Sequence, residues 1–257
     1  MKPYIVRVVS LKRKIGKTSV GTSLIKELIL RGVKVAAIKH THSGLDTGKD
    51  TARYLSSGVD VVIAVGPSWS ALYLRNAYTS LSDAINLLPG AYSIVIAEGF
   101  KRSDIGDVLA IVSDLNELSE LRNYVSGNIV AIVTYSLNEN KISDDYGIRV
   151  FKHNDIHELA EFIIERAIRF ISSQTPGLDC GHCGYSTCIE FSKAYLLGKV
   201  AECPVASEVK LIINGREVAL SPFVKMALKN TVLGFVTSLK NVPKDPSKIK
   251  ELKLTLK

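Results

Sequence analysis

The strongest constraint on this chain is the alternation that fills its first 172 residues, where short apolar, β-branched runs are separated by segments with helical periodicity. Tyr4 to Ser10 (YIVRVVS), Val33 to Ile38, Val59 to Val65 (VDVVIAV), Tyr92 to Ala97 (YSIVIA), Val108 to Val112, Ile129 to Val133 and Ile148 to Phe151 read as strands. Several are apolar on both faces, as strands buried between helix layers must be. Helices fit Lys17 to Arg31, Lys49 to Ser57, Ser80 to Leu88, Asn116 to Tyr124 and Asp155 to Ser172. Strand, helix, strand in this order predicts right-handed crossovers and a mostly parallel sheet in a three-layer α/β fold. SSQTPGLD, Ser172 to Asp179, then reads as a linker, which predicts a domain over 1–173 and a smaller α+β domain over 174–257. In the second, VKLIINGREVAL reads as a hairpin turning at Asn214-Gly215, and Ser221-Pro222 as the start of a helix over Phe223 to Leu239. The lysine-rich end, NVPKDPSKIKELKLTLK, reads as a tail.

Composition narrows the setting. The chain has 257 residues, 46% of them hydrophobic, which is ample for a core. Its start lacks the long apolar stretch of a signal peptide, and no run approaches a membrane span, so a cytoplasmic protein with no membrane role is expected. Net charge is +8, and the first 26 residues carry seven basic residues and no acid. That bias suits a phosphate-bearing ligand; without interleaved aromatics it does not indicate nucleic acid.

The basic cluster contains LKRKIGKTSVG, Leu11 to Gly21. A strand ending in a turn that opens a helix aims backbone N–H groups and the helix dipole at a phosphate. Lys14, Ile15, Gly16, Lys17, Thr18 and Ser19 are therefore the candidate cradle, with Lys17 reaching the terminal phosphates and Thr18 ligating Mg2+. Leu11, Arg13 and Lys14 stand where such loops often place glycine, so a basic turn before a helix is the competing reading. Lys12 falls five residues before Lys17, the place of the extra lysine in ParA- and MinD-like ATPases.

Downstream lie IKHTHSGLDTGKD, Ile38 to Asp50, and IAEGFKR, Ile96 to Arg102. With the loop, these segments resemble the MobB family, the GTP-binding accessory proteins of molybdopterin-guanine dinucleotide synthesis. The resemblance rests on Gly16-Lys17-Thr18, on Ile38-Lys39-His40 with His42, on Asp46 with Gly48-Lys49-Asp50, and on Glu98-Gly99-Phe100-Lys101. It covers about residues 4 to 135. It implies a P-loop fold that binds GTP with Mg2+, in which Lys17 and Glu98 serve any turnover and His40 and Asp46 border the ligand. It also implies a MobA-like nucleotidyltransferase and a molybdopterin-dependent enzyme as partners, and it leaves room for a homodimer. Glu98 sits where a Walker B acid holds Mg2+. Asp50 reads equally as a helix cap, and Lys101 as an ion-pair partner of Glu98. No NKxD motif reads guanine, TYSLN after the IVAIV strand being only a suggestive location. With neither an arginine finger nor a catalytic glutamine recognisable, hydrolysis is expected to be slow.

The four cysteines, Cys180, Cys183, Cys188 and Cys203, fall within 24 residues, the distribution of a local site rather than a disulfide framework. Four thiolates suit either tetrahedral Zn2+ or an iron–sulfur cubane, and free or paired thiols are the third option. Gly181 and Gly184 free the backbone to wrap a cluster, Cys203-Pro204 is like the last ligand of ferredoxin-type sites, and Cys188 reads as the start of a helix capped near Ser186 or Thr187. The run CGHCGYSTCIEFSKAYLLG with its later CP resembles the small four-cysteine [4Fe-4S] domain of electron-transfer and corrinoid proteins. The resulting expectation is a MobB-like GTP-binding protein with a fused [4Fe-4S] domain. The alternatives are a non-catalytic redox-linked adaptor and a ParA/MinD-like ATPase with a metal-binding appendage.

Overall fold

The computed structural model describes residues 1–12, 15–41, 48–74, 80–135, 147–200, 202–205, 209, 211–213, 216–218, 222–246, 249 and 252. Arg13, Lys14, His42, Asp46, Ser136 to Asn138, the Asn214-Gly215 turn, Ser221 and most of the lysine-rich end lie outside the described residues. The chain divides into two compact units, Met1–Ile171 with Lys193–Ala201, and Ser172–Ser192 with Glu202–Lys257.

In chain order the first unit holds β1 (Tyr4–Val9), α1 (Lys17–Leu30), β2 (Val35–Lys39), α2 (Lys49–Ser56), β3 (Val61–Val65), β4 (Ser70–Leu74), α3 (Leu81–Asn86), β5 (Ile94–Glu98), β6 (Asp107–Val112), α4 (Leu115–Arg122), β7 (Ile129–Thr134), β8 (Arg149–Lys152) and most of α5 (Ile156–Ser173). Six strands form one sheet in the order β2-β5-β1-β6-β7-β8, and every pairing in it is parallel. This is the expected three-layer P-loop NTPase-like architecture, and its apolar runs are buried for the expected reason. Val6, Val8, Val95, Ala97, Leu109, Ile111 and Val133 have no exposed surface, because helices cover both sides of strands whose side chains alternate between faces. Leu118 and Leu121 of α4 pack with Val9, Val108, Ala110 and Val112 on one face. On the other, Arg166 of α5 donates to Asp107 at 2.8 Å and to the Tyr4 hydroxyl at 3.1 Å.

The run Val59 to Val65 departs from expectation. It is a strand, but it forms an antiparallel hairpin with β4, a strand the sequence reading did not include, and it stays outside the parallel sheet. Its side chains alternate between half-buried and exposed, and α2 packs on β3. Val61, Ile63, Val65 and Leu72 point the other way and are exposed, as is Trp69 at the turn. The connection 99–106, where the sequence reading placed no helix, returns from the end of β5 to the start of β6 across β1 without forming one. Arg7 holds it there, as described below.

The second unit contains the cysteines, the start of α6 (Cys188–Leu196), the hairpin of β9 (Leu211–Ile213) and β10 (Arg216–Val218), and α7 (Pro222–Ser238). The hairpin is antiparallel, with Ile213 opposite Arg216.

Candidate functional site

The phosphate-type loop starts where β1 ends. Ser10 is fully buried, and its hydroxyl donates to the Lys12 carbonyl at 2.7 Å. Leu11, the residue in place of a first glycine, packs against the core cluster under α4. Gly16 takes φ +97° and its carbonyl accepts the first helical bond, from Val20 N–H at 2.9 Å. Among the described residues of the loop it alone has positive φ, so Leu11 carries no left-handed strain. No acid sits in the first turn of α1, which leaves the N–H groups and the positive end of its dipole to an anion. Lys17 Nζ lies 2.7 Å from Ser10 Oγ and 3.1 Å from the Lys12 carbonyl, folded along the loop. Ile15 is the half-buried residue before Gly16, and Ser19 is exposed in the first helical turn. Lys12 Nζ lies 4.0 Å from Glu117 Oε2 of the same chain, and Glu117 also takes bonds from Ser113 N–H and Oγ.

The second wall of the site is the end of β5. Thr18 Oγ1 donates to Glu98, 2.9 Å from Oε2 and 3.1 Å from Oε1. A hydroxyl and a carboxylate so close are two hard oxygen ligands of the kind Mg2+ takes. The cation beside Glu98 is Lys39, with Nζ 3.8 Å from Oε1; Lys101 instead donates to the Leu11 carbonyl at 3.4 Å. His40 follows β2, its N–H donating to the Glu98 carbonyl at 2.9 Å and its ring 5.0 Å from Phe100. Asp50 does not cap α2, whose N-cap is Gly48 with no side-chain bond, and pairs with Arg53 at 3.4 Å. The structure thus brings Gly16, Lys17, Thr18, Glu98 and His40 to the carboxyl ends of β1, β5 and β2, while Lys14 and Asp46 lie outside the described residues.

Glu98 is followed by two residues of positive φ, Gly99 (+95°) and Phe100 (+54°). At Gly99 a Cβ would meet that of His40 at 3.0 Å, so both φ and space call for glycine. Phe100 is strained, and the residue holding it is Arg7, which the sequence reading passed over as part of a buried strand. Arg7 is fully buried and donates to the carbonyls of Phe100 (2.9 Å), Lys101 (3.4 Å), Gly106 (3.4 Å) and Ser126 (2.5 Å). Burial lowers its pKa, and the charges of Asp104 and Asp107 oppose the shift. A charge in the middle of an otherwise apolar strand, YIVRVV, was the available signal.

The four cysteines line one pocket with Tyr185 and Phe191, and all four are free thiols. Asp179, at φ +46°, accepts the Cys188 N–H on Oδ1 at 2.6 Å, joining the loop of the first two cysteines to the start of α6. Thr187 is the cap the sequence suggested: its hydroxyl accepts Glu190 N–H at 3.1 Å, and Glu190 in turn accepts Ser186 N–H at 3.0 Å. Cys188 is therefore in the first turn of α6.

With this geometry in place, comparison with known proteins is informative. A family model described as "Molybdopterin guanine dinucleotide synthesis protein B" (MobB) matches residues 5–135, and one described as "Putative Fe-S cluster" matches residues 176–205. A Methanocaldococcus jannaschii protein named "Putative molybdopterin-guanine dinucleotide biosynthesis adapter protein" is 28% identical over 91% of this chain and 92% of its own length. A Bacillus subtilis protein named as a probable adapter of the same biosynthesis is 30% identical over 65% of this chain and 95% of its own. A solved Bacillus subtilis MobB structure superposes with a TM-score of 0.52 at 22% identity, covering 63% of this chain and 97% of that one, which bears on the fold alone. Among the described residues no helix is long and apolar enough to cross a membrane.

Proposed function

The chain belongs to the MobB family, and from that premise we propose that it is a GTP- and Mg2+-binding adapter of molybdopterin-guanine dinucleotide biosynthesis that carries a [4Fe-4S] cluster on Cys180, Cys183, Cys188 and Cys203. The observation that carries the nucleotide reading is the contact of Thr18 Oγ1 with Glu98 at 2.9 and 3.1 Å beside the open N-terminus of α1. In this reading Lys17 leaves Ser10 and the Lys12 carbonyl to meet the terminal phosphates, the N–H groups from Lys14 to Ser19 cradle them, and Thr18 and Glu98 hold Mg2+. His40 and Asp46 border the ligand. Guanine preference comes from the family, and turnover is slow, the nucleotide acting as a bound signal more than as fuel. The partners are a MobA-like nucleotidyltransferase and a molybdopterin-dependent enzyme. A homodimer forms through the exposed apolar face of the β3–β4 hairpin: a two-stranded sheet is marginal by itself, and an uncharged face of Val61, Ile63, Val65 and Leu72 complements a copy of itself.

The cluster assignment is supported by the donor set. All four thiols line one pocket with Gly181, a donor set of four thiolates that suits a cubane. Bound there, the cluster would supply a one-electron redox couple or a covalent staple for a unit with little core of its own.

One preparation tests both assignments. After anaerobic purification we expect about four iron and four sulfide per chain and no zinc, with GTP·Mg2+ binding that Lys17→Ala weakens roughly tenfold to a hundredfold. Zinc without iron refutes the cluster. Equal binding by wild type and Lys17→Ala refutes the loop, and a preference for ATP would favour the ParA/MinD-like alternative.

A further inference from the structure

The nucleotide reading accounts for the phosphates and leaves the base without a seat. The sequence offers no NKxD motif, and the residues so far assigned lie on the β1, β2 and β5 side of the loop. On the opposite side, the carboxyl ends of β7 and β8 carry an aromatic pair. Tyr135 directly follows β7 and His153 directly follows β8. Their rings are stacked, with centroids 4.4 Å apart and planes inclined by 23°. The backbone holds them in register, because β7 and β8 are paired through Thr134 and Lys152 and the His153 N–H donates to the Thr134 carbonyl at 3.1 Å. Both side chains are exposed.

What ties this pair to the phosphate loop is Gly16. A Cβ on Gly16 would overlap the Tyr135 hydroxyl, so the tyrosine lies directly against the residue that caps α1. An exposed, preassembled aromatic surface thus adjoins the loop on the side away from Glu98.

We propose that Tyr135 and His153 form the base-binding platform of this site, on which a purine base stacks while its phosphates lie on the N-terminus of α1. The inference rests on the nucleotide reading above and gives that site its second half. A nucleobase is the fitting ligand because its flat ring can stack on an exposed aromatic side chain, the purine following from the GTP reading, and base–aromatic stacking contributes about 1–3 kcal/mol per base. The platform makes the site bipartite: phosphate affinity comes from Gly16, Lys17 and Thr18, and base affinity from residues more than a hundred positions later. It also gives Gly16 a steric reason to be glycine beyond its positive φ, since a Cβ there would overlap the Tyr135 hydroxyl and force that side chain to shift.

The test separates the halves by titrating the full chain with GTP·Mg2+ and, in parallel, with inorganic tripolyphosphate·Mg2+. Tyr135→Leu and His153→Leu are each expected to weaken GTP binding roughly 5- to 100-fold and leave tripolyphosphate binding unchanged. Tyr135→Phe, which keeps the ring, should bind GTP like wild type. If Tyr135→Leu leaves GTP binding unchanged, or weakens GTP and tripolyphosphate equally, the platform is refuted while the phosphate loop stands. If wild type binds neither ligand, the nucleotide reading itself fails, and the platform with it.

Discussion

Replacing Arg7 with methionine tests how the Glu98 corner is held. The guanidinium has no exposed surface, and it binds carbonyls of the connection that crosses β1. Two of its bonds are short, to Phe100 and Ser126, and two are long, to Lys101 and Gly106. A hydrogen bond to a charged group contributes about 1.5–3 kcal/mol, so the short pair amounts to about 3–6 kcal/mol before any offset. Methionine fills the volume but leaves these carbonyls without a donor, while removal of the guanidinium recovers its desolvation cost, the same cost that lowers the Arg7 pKa. A net loss of about 2–4 kcal/mol is expected, which lowers Tm by roughly 4–16 °C. The loss should be local first. Ser103 N–H donates to Phe100 and Ser126 N–H to Lys101, so these amides report on the clamped segment. Hydrogen exchange there should accelerate roughly 30-fold or more, ahead of the amides of β6. If Arg7→Met matches wild type in Tm and in exchange at Ser103 and Ser126, the clamp argument is wrong and the connection is held by its own packing.

Three further outcomes follow from the same geometry. Glu98→Gln removes the charged oxygen beside Thr18, so the Mg2+ dependence of GTP affinity should shrink about tenfold; an unchanged Mg2+ dependence would place the metal elsewhere. Asp114 caps α4 by accepting Glu117 N–H at 2.8 Å, and that bond is the main reason its pKa is lowered. A depressed carboxylate stabilises the fold above its unfolded pKa of about 3.9 and loses that contribution as pH falls through the lower folded value. Asp114→Asn keeps an acceptor that does not titrate, so its stability should fall less steeply than wild type below about pH 4; parallel acid-unfolding curves would contradict the assignment. Ile63→Glu puts a charge on the exposed hairpin face and should convert a dimer to a monomer in sedimentation, whereas a monomeric wild type or a dimeric variant would remove that face as the interface.

The parts of the fold that sequence reveals are those fixed by burial on both sides. β1, β5, β6 and β7 are mostly apolar on both faces because helices or connections cover both, and that needs no knowledge of which strand neighbours which. VDVVIAV has the same composition, yet it forms half of an exposed hairpin. A short apolar run states that a strand is favoured and says nothing about its neighbours. β4 went unread because Ser70–Leu74 is short and mixed, and pairing with β3 is what makes it a strand. The Thr18–Glu98 contact was legible although 80 residues separate the two, since each lies in a motif of its own. Arg7 was not, because its partners lie 93 to 119 residues away and are carbonyls, which every residue has.

The loop closes its turn with few glycines. Leu11 stands where a flexible residue is usual, yet it packs on the core under α4, and its carbonyl takes the Lys101 ammonium. Ser10 and Lys17 close the turn from within, and positive φ is confined, among the described loop residues, to Gly16. These contacts hold the described ends of the loop, and the Leu11 packing is one that a glycine would lack. Preorganisation of this kind strengthens binding by lowering the ordering cost at association, and it does nothing to orient an attacking water. The same rigidity recurs at Glu98, where Arg7 locks the strained Gly99-Phe100 turn. Both walls of the candidate site are thus braced from beneath, one by the Leu11 side chain under α4 and the other by Arg7.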